Sequence, residues 1–196
     1  MGTLVKVLSI CLQLGSVAAP AQGSPPTVAG APAQPNPLSA HQKRGYAIAR
    51  AVLLRSAELM PAENYGFKPT DGVRSFGQIL GHVADSQYDF CSIVLGEKNP
   101  SPNIEETKTS KAELIAALEE AFAYGERAYA RMTDSSAVQM VKYMGRDQPK
   151  LGVLINNNIH TSEHQGNLVT YLRMKGIVPP TSDEKFMQEV RKSAGR

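Results

Sequence analysis

Ser75-Phe76-Gly77-Gln78-Ile79-Leu80-Gly81-His82-Val83-Ala84-Asp85-Ser86-Gln87-Tyr88-Asp89-Phe90-Cys91-Ser92-Ile93-Val94-Leu95-Gly96 is the stretch on which the reading of the fold turns. Ser75 and Gln78 form a capping box, in which a serine at the N-cap and a glutamine three residues on each answer an orphan backbone amide. Ile79, Leu80, Val83, Phe90, Ile93, Val94 and Leu95 recur at helical spacing, and Gly96 supplies a left-handed stop. The result is one amphipathic helix of about twenty residues and roughly 30 Å. His82 lies on the edge of its apolar face, amid Ile79, Val83 and Ser86.

Upstream, Tyr46, Leu53, Leu54, Ala57 and Met60 mark a first helix from about Ser39 to Met60, stopped by Pro61. Downstream, Glu97 to Thr109 could extend over about 43 Å, far more than a tight antiparallel turn needs. A long crossover is therefore expected, with helices two and three parallel. Helix three opens on a second capping box, Ser110-Lys111-Ala112-Glu113, and carries Leu114, Ile115, Leu118, Phe122 and Tyr129 toward Met132. A polar, partly extended stretch from Thr133 to Pro149 leads to helix four, about Leu151 to Lys175, closed by Gly176 with Pro179-Pro180 beyond. Four helices of matched length predict an all-α four-helix bundle over residues 39–181, followed by a polar C-terminal tail over 182–196.

Ahead of the bundle, Lys6, the weakly apolar run Val7 to Leu14 and Ala19-Pro20-Ala21 have the layout of a signal peptide cleaved after residue 21. Residues 22–38 are rich in Pro, Gly and Ala and read as a linker. The chain is thus expected to be exported, periplasmic or secreted. Removal of the signal leaves Cys91 alone, which excludes an intrachain disulfide and reads as a small core residue. Twenty-one basic and 18 acidic residues are interspersed without a basic stripe, which argues against nucleic acid as a partner. No stretch reaches the 18 or more apolar residues of a spanning helix.

Helix four contains His160-Thr161-Ser162-Glu163-His164, and a four-residue step puts both imidazoles on one face within reach of a single ion. Asn157, His160, His164, Asn167 and Tyr171 make a polar strip where a simple bundle would be apolar. Either this face is exposed or metal, water or ligand fills it, because each unsatisfied buried group costs about 1 to 3 kcal/mol, and the neighbouring Leu151, Leu154, Ile155, Leu168 and Leu172 argue against full exposure. His82, on another core-facing helix, is the candidate third ligand. Three neutral imidazoles suit Zn, Ni, Fe or Cu better than Mg or Ca, with Zn, Ni or Fe foremost, and leave a position open for water or a small-molecule substrate. Asp85 is either a further ligand, a partner orienting an imidazole, or a solvated charge. His160-x-x-Glu163-His164 also fits the pattern of inverted zinc peptidases, but Glu184 and Glu189 are poor candidates for the downstream ligand those enzymes need. His41 reads as an exposed helix-start residue.

The order of a histidine on helix two, a crossover, and H-x-x-x-H on helix four resembles the DinB-like (damage-inducible protein B) four-helix-bundle family. Val73 to Asp85 and His160 to Pro180 carry the resemblance. It implies that His82, His160 and His164 bind a divalent metal at one mouth of the bundle, and that the chain is a homodimer. Some relatives are thiol transferases or isomerases, so the resemblance implies a metal-dependent transferase or hydrolase activating a thiol or water, with a non-catalytic metal-binding or stress-associated module as the alternative. Export pulls against thiol chemistry, since small-thiol cofactors are chiefly cytoplasmic.

Overall fold

The structure, a computed structural model, describes residues 35–195. The expected signal peptide and all but the last residues of the expected linker lie outside them. Four long helices form the body: α1 (Pro37–Leu59), α2 (Phe76–Leu95), α4 (Lys111–Arg131) and α6 (Lys150–Met174). Between them stand two single-turn helices, α3 (Ile104–Thr107) and α5 (Asp134–Ala137), and a hairpin of β1 (Met140–Tyr143) and β2 (Arg146–Pro149). The stretch read as a polar tail is ordered as α7 (Glu184–Ala194), whose Val190 is buried. Among the described residues no helix is long and apolar enough to cross a membrane.

Helix ends follow the local chemistry. Both capping boxes are closed, Ser75 with Gln78 and Ser110 with Glu113. Gly96, at φ 70°, stops α2. α1 begins two residues before the expected start, at Pro37, where proline's missing N–H is no loss. Its cap comes from across the bundle: Asp134 accepts the backbone N–H groups of Leu38 and Ser39 at 3.1 and 2.8 Å.

Helix directions can be read from the contacts. Gly77 packs on Leu114 near the start of α2 and α4, and Glu97, just past α2, reaches Tyr124 and Arg127 far along α4. These two helices are therefore parallel, as the crossover length requires. α2 and α6 are antiparallel, with Gln87 beside Asn157 and Thr161 and the Tyr171 hydroxyl donating to the Arg74 carbonyl. α1 and α4 are also antiparallel: Lys111 donates to the carbonyls of Glu58 and Met60 at one end, and Ser39 meets Asp134 at the other.

Leu53, Leu80, Leu118, Phe122, Leu154, Leu168 and Leu172 fill the centre with almost no exposure, each contributing about 1.5 to 3 kcal/mol by leaving water. At Gly125 of α4 the side chains of Tyr46 and Cys91 fit against bare backbone.

Candidate metal centre

One polar network sets the register of α2 on α6. Gln87, Asn157 and Thr161 are fully buried. Gln87 donates to Thr161 Oγ1 at 2.9 Å, Asn157 donates to Gln87 Oε1 at 3.0 Å, and Thr161 donates to the Asn157 carbonyl at 2.8 Å. Sliding one helix past the other would strand these groups in an apolar core at about 1 to 3 kcal/mol each. The register so fixed brings His82 of α2 opposite His160 and His164 of α6.

All three histidines of the sequence reading come together. His160 Nε2 lies 3.1 Å from His82 Nε2 and 3.1 Å from His164 Nε2, and one ligand atom from each ring lies within 4.8 Å of the others. Hydrogen bonding alone cannot satisfy this cluster. A neutral imidazole nitrogen carries either one proton or one lone pair, so His160 Nε2 can serve one neighbour well and not both. A shared cation would account for the two 3.1 Å steps: nitrogens about 2.0 to 2.1 Å from one ion sit about 2.8 to 3.4 Å apart between octahedral and tetrahedral angles. The donor set fits a borderline divalent metal.

The rings are half-buried, and their charge states suit ligation. Burial, then the neighbouring His164 and His82 and the Arg74 guanidinium, lowers the His160 pKa to about 4. His164 is lowered by burial and by His82, with Arg74 adding to the effect. His82 is lowered by burial and Arg74 against an opposing pull from Glu105. Neutral imidazoles are the ligating form.

Glu105 is the residue the sequence reading missed. Its Oε2 is 3.2 Å from His82 Nδ1, and its Oε1 is 2.8 Å from Arg74 Nε. It sits on α3, within the crossover, 23 positions from His82, so no periodicity links the two. Asp85 is neither one of the three converging ligands nor a freely solvated charge. Its carboxylate accepts the backbone N–H groups of Ile104 and Glu105 at 2.7 and 2.9 Å, capping α3.

Of the polar strip on α6, Asn157 and Tyr171 are buried and hydrogen-bonded, His160 and His164 form the cluster, and Asn167 is exposed. Glu163 and His41 are exposed, and Cys91 is buried, its thiol pushed up to about 12 by desolvation. The Nδ1 atom of His160 is buried without a hydrogen-bond partner among the described residues.

A pocket of about 390 Å³ shares His160 as a wall with this centre. Phe90, Ile93, Tyr143 and Met144 make it apolar, with Ser86 and Asp89 at its edge. The hairpin supplies Tyr143, stacked on Phe90 at 5.4 Å, and Met144, held at φ 48° in the two-residue turn with Gly145. A larger, more polar cleft of about 820 Å³ lies beside Glu105, lined by Arg74, Gln78, Asn103 and Lys108 and by none of the three histidines.

Parallel and antiparallel long helices joined by a crossover, with three imidazoles converging across one antiparallel pair, define a four-helix-bundle protein carrying a candidate three-histidine metal site. The chain belongs to the DinB superfamily, whose family profile matches residues 46–168. A DinB-like protein from Bacillus cereus ATCC 10987 superposes with a TM-score of 0.61 at 15% identity, over 67% of this chain and 89% of that one. The DinB-like protein YjoA from Bacillus subtilis gives a TM-score of 0.58 at 20% identity, over 69% of this chain and 92% of that one. At such identities the likeness is one of fold. No curated protein sequence matches the chain.

Proposed function

We propose that this chain is an exported, metal-dependent transferase or hydrolase that holds one zinc, nickel or iron ion on His82, His160 and His164. The convergence of three Nε2 atoms at 3.1 Å steps carries the reading. When bound, such an ion keeps open coordination positions and brings the pKa of a thiol or water placed there toward neutrality. The chain's own residues do the rest. The three rings present neutral lone pairs, and the buried Gln87, Asn157 and Thr161 hold the two helices that carry them in register. Phe90, Ile93, Tyr143 and Met144 receive an apolar group of the substrate beside His160. The protein acts as a homodimer, which sedimentation of the purified chain tests.

Turnover by zinc-loaded protein is the test, read on a thiol-conjugation substrate and on an aryl ester. Activity is expected to vanish in His160→Ala and on chelation, and activity that survives both would remove metal catalysis. A zinc-dependent rise in melting temperature with no turnover would leave a non-catalytic binding module. Export is tested separately: loss of residues 1–21 is expected to retain the protein inside the cell.

A further inference from the structure

We propose that Glu105 is a positioning residue of the three-histidine site, holding His82 in the tautomer that keeps its proton on Nδ1 and turns the Nε2 lone pair toward the other two rings. The inference rests on the metal reading above only for its effect on affinity. Its structural basis stands apart from it.

The carboxylate is placed, not merely nearby. Arg74 binds the oxygen that does not face His82, at 2.8 Å, which leaves Oε2 facing His82 Nδ1 at 3.2 Å. The backbone beneath it is fixed twice over. Asp85, one turn past His82 on α2, accepts the two backbone N–H groups that open α3. Gly81, the residue before His82, lets α3 lie directly on α2: a Cβ there would stand 2.7 Å from the Glu105 Cα and 3.1 Å from its backbone nitrogen. Three residues within five positions of α2, Gly81, His82 and Asp85, thus all contact Glu105 of the crossover.

A metal-bound imidazole whose second nitrogen donates to a carboxylate has its tautomer and ring orientation set, and loss of that partner typically costs 10- to 100-fold in metal affinity. The crossover therefore does more than connect α2 to α4. It delivers the group that orients the ligand contributed by α2.

The test uses the full chain as wild type, Glu105→Ala, His82→Ala and the double variant, with zinc alone as the probe and a chromophoric chelator as competitor. Glu105→Ala is expected to weaken zinc 10- to 100-fold in the wild-type background and by less than twofold when His82 is already alanine. An equal loss in both backgrounds would mean that Glu105 acts as a distant charge, and unchanged affinity would overturn the proposal outright. The tautomer is read without metal from ¹⁵N shifts of the His82 ring: proton on Nδ1 in wild type, shifting toward Nε2 in Glu105→Ala. If wild type binds no zinc, the metal reading fails, and the ¹⁵N shifts still decide the role of Glu105, identical ring shifts in both proteins refuting it. Gly81→Ala, which lifts α3 while leaving Glu105 chemically intact, is expected to reproduce the same shift change.

Discussion

Replacing Gly125 by alanine tests the packing that holds α4 against α1 and α2. Alanine in place of glycine inside a helix ordinarily stabilises by about 0.5 to 1 kcal/mol. At Gly125 the added Cβ would overlap the Tyr46 hydroxyl, lie 2.9 Å from the Tyr46 Cζ and 3.2 Å from the Cys91 sulfur. Tyr46 has little room to yield: it is 2% exposed, stacks on Tyr129 at 4.1 Å and donates to the Phe122 carbonyl at 2.8 Å. Overpacking costs about 1 to 3 kcal/mol, and displacing a buried hydroxyl from its acceptor costs about 1 to 3 kcal/mol more. The clash outweighs the helix preference, for a net loss near 3 kcal/mol, or about 6 to 12 °C in melting temperature for a domain of this size. Gly166 of α6 is the control, since a Cβ there meets nothing within 4 Å. Gly166→Ala is expected to gain about 2 to 4 °C at most. Both are read by circular dichroism melts of metal-free protein, with urea titrations to confirm an unchanged m-value. A Gly125→Ala protein that melts at or above wild type would refute the packing argument.

His160→Ala and His164→Ala are each expected to abolish the thermal stabilisation by zinc, which in wild type reaches about 2.7 kcal/mol at a hundredfold excess over the dissociation constant; differential scanning fluorimetry with and without zinc reads it. In metal-free protein the lowered His160, His82 and His164 make stability depend on pH. Between the ordinary histidine value of about 6.5 and about 4, the unfolded chain binds protons that the folded chain refuses. The contribution is thus full above about pH 6.5 and lost as pH falls toward 4, which urea midpoints across that range in chelator check; a midpoint that rises on acidification would contradict it. Cys91 is expected to resist iodoacetamide in the native protein and to react once urea unfolds it, as peptide mass mapping shows.

The parts of the fold readable from sequence were those with local causes. Capping boxes at Ser75 and Ser110, stops at Gly96 and Gly176, and apolar spacing located the four long helices within a few residues. The length of Glu97 to Thr109 foretold that α2 and α4 run parallel. His160 and His164 were legible because helical spacing alone puts them on one face. Non-local features were missed. α3 is a single turn whose N-terminus is capped by Asp85 from another helix, so the crossover sequence carries no cap of its own to announce it. Glu105 inherits that obscurity, and Asp85 had a visible position but an invisible partner. α7 is mostly polar, and only Phe186, Met187 and Val190, three and four residues apart, hint at the face it lays on the bundle. The hairpin is short, and its Met144-Gly145 turn puts methionine where Asn or Asp usually marks such a turn.

If His82, His160 and His164 bind one ion together, elemental analysis of the full chain, purified without an affinity tag and dialysed after zinc loading, will find one zinc per chain in wild type and almost none in His160→Ala with an unchanged circular dichroism spectrum. Wild type without metal, or a His160→Ala variant that retains it, would mean that the three rings do not share an ion.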